Sequence, residues 1–166
     1  CCFVFRHHYN NIVSYVIIEK IGHVLKIYLL KKSDIIRRRK TMVNFKEDEQ
    51  LKTLNHSCAH LMAQAIKHLY PQAKFWVGPV VAEGFYYDVD LGDDVIRDED
   101  IPKIEKEMKK VAKSGKRIVR KEISKEEAME MFKDDEYKLD LISNLEDGTI
   151  SCYEQGDFTD LCRGPH

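Results

Sequence analysis

The chain lacks a dominant charge of either sign, an even set of paired cysteines, an uninterrupted apolar run of membrane length, and any repeat or low-complexity tract. Most of these absences exclude something. A net charge of -1 by itself says nothing about partners, but the acidic balance of residues 42–166 argues against grip on a phosphate backbone as that segment's main task. Five cysteines (Cys1, Cys2, Cys58, Cys152, Cys162) form an odd count without paired spacing. That argues against a secreted disulfide framework and for a reducing, cytoplasmic setting. The most apolar stretch, Ile12 to Leu30, is broken by Glu19, Lys20, His23 and Lys26, whereas a spanning helix needs about 20 predominantly apolar residues. No membrane partner is expected.

What is present suits one globular domain with an appendage: 166 residues, 43% hydrophobic and 33% charged. Charge is unevenly spread. Residues 1–41 hold nine Lys/Arg against two Asp/Glu, and residues 42–166 hold 18 against 26. The composition breaks at Met42, after Arg37-Arg38-Arg39-Lys40. We therefore divide the chain into an extension, 1–41, and a domain, 42–166. The extension reads as upstream sequence translated in frame, with Met42 the true start; a small β-rich or helical appendage is the alternative. Intact-mass analysis of the native N-terminus separates the two.

Beyond Met42, Leu51, Leu54, Cys58, Leu61, Met62, Ala65, Ile66 and Leu69 recur every three or four residues, predicting a helix over 49–70 that Pro71 stops. Lys74 to Val81 and Phe85 to Asp90 read as strands around Gly84. Asp98 reads as the N-cap of a helix closed by Gly115. Lys116 to Ile123 reads as a strand. Ser124 and Glu127 form a capping box that opens a short helix. Another short helix lies near 138–142, and a last strand spans 149–153. The sum is an α+β fold in which an antiparallel sheet packs against the long first helix.

Two pairs carry potential chemistry. His56 and His60, four apart on a helix, point from one face toward a common point. Cys162 and His166 share that spacing at the other end of the chain. Three imidazoles and a thiolate make a tetrahedral zinc set. They equally make a water-activating pocket with histidine as acid and base. Each pair alone is weak, because helical histidines four apart more often decorate a surface. Cys58 and Trp76 read as core, and 103–121 as a solvated face.

Together the motifs are more specific. His56-Ser-Cys-Ala-His60-Leu-Met-Ala-Gln-Ala, Gly78-Pro-Val, Glu83-Gly-Phe-Tyr-Tyr-Asp88, Tyr137-Lys138 and Asp160-Leu-Cys-Arg-Gly-Pro-His166 resemble, in order, the editing domain of threonyl-tRNA synthetases. The alanyl-tRNA editing family shares the two four-spaced pairs, but its closing Cys-Gly-Gly-Thr-His differs from the Cys-Arg-Gly-Pro-His here.

The resemblance implies hydrolysis of serine wrongly esterified to tRNA(Thr). It implies catalytic roles for His56, His60, Lys138 and His166. Tyr87, Asp160 and Cys162 would shape the seryl pocket, with Asp160 a partner for the substrate ammonium. It favours a metal-free site over zinc on His56, His60, Cys162 and His166. Family synthetases continue into a core that uses ATP and zinc to attach threonine, in a homodimer, so the chain reads as an editing fragment. A freestanding deacylase and a non-catalytic tRNA-positioning module are the rivals.

Overall fold

The structure, a computed structural model, describes residues 7–9, 12–16, 44, 46–81, 84–146 and 148–166, the first two segments as backbone only. The rest of the extension, including most of the apolar stretch and the proposed start at Met42, lies outside the described residues. No described helix is long and apolar enough to cross a membrane.

Helix α1, Glu49–Leu69, is the organising element. The Asp48 carboxylate caps it, accepting the backbone N–H groups of Gln50 and Leu51 at 2.9 and 3.0 Å. At the far end the Tyr70 N–H closes on the Ile66 carbonyl before Pro71 ends the helix. From Cys58 to Ile66 the helix is buried on nearly every side. Met62 and Ile66 face Phe75, Phe85, Val89, Ile104 and Met108 in the main core. A fully buried side chain of this size stabilises by roughly 1.5–3 kcal/mol.

The extension's backbone contributes β1, His7–Tyr9, and β2, Ile12–Val16. Then come β3, Lys74–Phe75; β4, Val80–Val81; and β5, Gly84–Asp90. All pair antiparallel in one sheet ordered β1-β2-β5-β3, with β4 on the start of β5. The single strand expected from Lys74 to Val81 is two short ones, because Gly78-Pro79 interrupts the ladder.

Helix α2, Ile101–Lys113, packs on α1 through Ile104, Met108 and Val111. Its lysines face solvent, as expected. Asp98 is not its N-cap. Residues Asp98–Asp100 form a 3-10 turn, Pro102 occupies the helix start, and the Asp100 carboxylate accepts the Arg97 N–H at 3.0 Å.

A second antiparallel sheet joins β6, Val119–Ile123, to β7, Ile150–Gln155, and β7 to β8, Phe158–Leu161. The capping box forms: Ser124 and Glu127 exchange bonds of 3.1 and 2.8 Å at the start of α3, Lys125–Met131. Helix α4, Glu136–Ser143, is capped by Asp135, which also accepts the Phe75 N–H. A small core of Ala128, Ile142 and Ile150 fills this half. The fold is α+β as expected, with two sheets where one was anticipated.

Candidate active site

Alternation on short strands decides which side chains reach the interior. On β8 it turns Phe158 and Asp160 inward; on β5 it turns Phe85, Tyr87 and Val89 inward. Helix α1 brings His56 and His60 to the same place. The segment after β8 then folds back over α1, so that Cys162 and His166 meet the two histidines.

The four side chains converge. Their potential ligand atoms all lie within 4.8 Å of one another. His56 Nε2 and His166 Nε2 stand 3.2 and 3.3 Å from Cys162 Sγ, and the Gly164 N–H points at the same sulfur from 3.2 Å. The His166 ring sits 4.2 Å from both the His56 and the His60 ring centroids.

The close turn that permits this depends on Gly164, whose φ is 74°. A Cβ there would collide with the Tyr153 hydroxyl. The Tyr153 ring backs His166 at 4.4 Å. Sequence reasoning assigned Tyr153 no place in the site. Its position on β7 directly opposite Asp160 is fixed only by the β7–β8 register.

Behind this quartet is a buried polar triad. Lys138 is 2% exposed, and its Nζ lies 2.6 Å from Asp160 Oδ1 and donates to the Trp76 carbonyl at 2.9 Å. Tyr87, 2% exposed, donates its hydroxyl to Asp160 Oδ2. His60 Nδ1 stands 3.7 Å from that oxygen. Tyr87 fits only because Gly78 has no side chain: a Cβ would come within 2.5 Å of the ring.

Burial drives the electrostatics. It pushes His60 down to about 4, with Asp160 opposing and His56 and Lys138 assisting. Burial and the two neighbouring imidazoles push His166 down to about 3. His56 is lowered by burial too, despite its hydrogen bond to the Pro165 carbonyl. The Cys162 thiol is pushed up to about 11, again chiefly by burial. Burial would raise Asp160, but the Lys138 ammonium, His60 and the bonds from Lys138 and Tyr87 outweigh it and hold the carboxyl below its ordinary range.

At neutral pH the quartet is therefore three neutral imidazoles around a protonated thiol. Ser57 Oγ, which donates to the Thr53 carbonyl at 3.0 Å, can accept from His166 Nδ1 at 3.3 Å, leaving His166 Nε2 a lone pair. The thiol has one proton for two imidazole acceptors, so a free base remains beside it. The same donor set fits tetrahedral zinc if the thiol gives up its proton.

The quartet opens on a cleft of about 880 Å³. His56, His60, Tyr87 and Cys162 line it, with Trp76, Gly78, Glu146, Ser151 and Arg163 among the other walls. Trp76, expected in the core, is half-buried on this wall because β3 ends at Phe75. Lys138 and Asp160 lie behind the wall, facing a separate hollow. Asp160 is almost fully buried and does not line the cleft, so an ammonium there does not meet it directly. Cys58 is buried as expected.

A partly buried His–His–Cys–His cluster beside a cleft on an α+β scaffold agrees with the resemblance to the aminoacyl-tRNA editing domains. The chain matches no family model. It is 54% identical over 124 residues to the threonine--tRNA ligase of Desulfatibacillum aliphaticivorans, covering 75% of this chain and 19% of that protein. The threonine--tRNA ligase of Desulforapulum autotrophicum is 52% identical over 125 residues, with the same shares. That of Porphyromonas gingivalis is 56% identical over 114 residues, 67% of this chain and 18% of the ligase. The chain is thus homologous to the threonine--tRNA ligases over most of its length, and it spans about one fifth of the length of these relatives.

Proposed function

We propose that this chain is the editing unit of a threonine--tRNA ligase, which hydrolyses serine from mischarged tRNA(Thr). The observation that carries the reading is the convergence of His56, His60, Cys162 and His166, the first three of which line one cleft.

The need is physical. A synthetic site built for threonine rejects serine only by the binding its missing methyl would supply, about 1–3 kcal/mol or roughly 10- to 200-fold. A second site that hydrolyses the smaller ester makes up the shortfall. Water enters the cleft beside His56 and His60. A neutral imidazole accepts its proton as the oxygen adds to the ester carbonyl. The proton then passes to the departing ribose oxygen, giving free serine and tRNA with its hydroxyl restored. General acid–base help of this kind is worth about 10²- to 10⁴-fold, ample for an already labile ester. Cys162 holds two of the imidazoles in register and walls the seryl pocket with Tyr87. Lys138 contributes its positive field to the developing oxyanion from behind Tyr87, and Asp160 positions both.

The site is proposed to work without metal. Zinc on His56, His60, Cys162 and His166 would instead supply an acidified bound water. Elemental analysis and activity after chelation decide this; one tightly held zinc whose loss ends hydrolysis defeats the metal-free reading. The parent ligase would charge tRNA with threonine using ATP, as a cytoplasmic homodimer with zinc in its synthetic core.

The test is deacylation of seryl- and threonyl-tRNA(Thr) by the purified chain. Selective release of serine is expected. A chain that binds the tRNA yet turns over neither ester would instead be a positioning module.

A further inference from the structure

The segment that closes the site also forms the wall of a second hollow. Gly164 and Pro165, together with His56 and Pro79, line a depression of about 410 Å³ on the other side of the quartet. His56 and Pro79 border both spaces. Lys46 and Lys52 line the hollow, and Lys52 lies one turn before His56 on the same face of α1. Arg163 stands at the junction, lining the main cleft immediately before Gly164. Its side chain is exposed, with no hydrogen bond or ion pair among the described residues. None of these three cations touches the ester in the hydrolysis described above, although the charge of Lys52 helps lower His56.

We propose that this hollow is a second subsite, which takes the backbone phosphate and nucleotide preceding the esterified one in a single-stranded RNA 3′ end. The inference rests on the editing reading, because it assumes that the last nucleotide enters the main cleft ester-first. Two joined hollows with a cation at the junction match two successive nucleotides joined by a phosphate. Arg163 meets the linking phosphate, and Lys46 and Lys52 meet the next. Among the described residues lining the two hollows, two carboxylates oppose them: Glu49, 3.4 Å from Lys52, and Glu146 on the cleft wall. The cations outnumber these by one, a locally positive track in a segment whose overall balance is acidic.

The test compares the full chain with Arg163→Gln and the double variant Lys46→Gln/Lys52→Gln on two substrates. These are seryl-tRNA(Thr) and seryl-adenosine, which has no phosphate. For each variant the KM for seryl-tRNA should rise about threefold to tenfold, while that for seryl-adenosine shifts less than twofold. The slope of log affinity against log salt should flatten by about 0.7 for each phosphate contact removed. Equal effects on both substrates, or none on the tRNA, overturn the subsite. A parallel binding arm uses a short fluorescent single-stranded RNA ending in the tRNA 3′ sequence. If the wild type hydrolyses neither ester, the editing reading fails, and this arm still judges the subsite. Unchanged affinity in both variants refutes it, and weakened affinity with a flatter salt slope supports it.

Discussion

Two side-chain clusters built on the histidines of α1 place the imidazole in opposite environments. His60 is buried and His56 and His166, the latter from the tail, are half-buried against it, and burial lowers all three. Two to three turns further along α1, His68 lies near the surface between two carboxylates. Its Nδ1 is 2.8 Å from Glu107 on α2, and its Nε2 is 3.2 Å from Asp157 in the β7–β8 turn. Burial would lower His68, but those two bonds and charges outweigh it and raise the group. Gln64 completes the clamp by donating to Asp157 at 2.8 Å. The same side chain is thus held toward its neutral form where imidazoles and apolar walls surround it, and toward its cationic form where carboxylates do.

The comparison is broken or sharpened by substitution. The largest effect expected is His56→Ala, which should lower seryl-tRNA hydrolysis by about 10²-fold or more while circular dichroism and melting stay near wild type. A comparable loss in His68→Ala would erase the distinction between the clusters.

Next is Asp160→Ala, which strands the buried Lys138 ammonium. Breaking such a pair costs about 3–5 kcal/mol, and urea unfolding should show it. A cost under about 1 kcal/mol would mean that the triad is solvated.

The pH dependence separates the clusters by sign. Burial, foremost, pushes His60 down to about 4 and His166 down to about 3 in the folded chain, from an ordinary value of 6.5. Between pH 6.5 and those values the unfolded chain binds protons that the folded chain refuses, so these two groups destabilise the fold as acid is added. His68 is raised, so its contribution is fully present below pH 6.5 and is lost as pH rises through its folded value. Denaturation of His68→Ala and the parent across pH 4–8 should converge at the alkaline end. Because burial lowers all three imidazoles, hydrolysis should persist below the ordinary imidazole value of about 6.5; a fall already centred near 6.5 would contradict a buried neutral base.

Smallest is the stability effect of His68→Ala near neutral pH. Its partners are partly exposed, so about 1 kcal/mol or less is expected.

Much of this was legible in the sequence because local physics set it. The apolar spacing of α1 fixed the helix and placed His56 and His60 on one face, and Ser124 with Glu127 announced α3. Strand β8 escaped reading because it is four residues long with Thr159 and Asp160 inside it. The Gln155-Gly156-Asp157 turn before it, with Gly156 at φ 67°, was the available signal. The near approach of Cys162 and His166 to α1 is set by that strand's register, which no local pattern encodes. For the same reason Tyr153 was missed, and Asp160 was expected at an ammonium when its oxygens belong to Lys138 and Tyr87. Burial of Lys138 depends on the Asp135 cap that anchors α4 beside Phe75.

The most direct measurement is a deacylation time course on seryl-tRNA(Thr) and threonyl-tRNA(Thr) with the parent chain, His56→Ala and His68→Ala side by side. The account predicts that the parent and His68→Ala release serine and spare threonine, while His56→Ala releases neither. A folded parent chain that leaves seryl-tRNA intact, or a His56→Ala chain that clears it as fast as the parent, would contradict it.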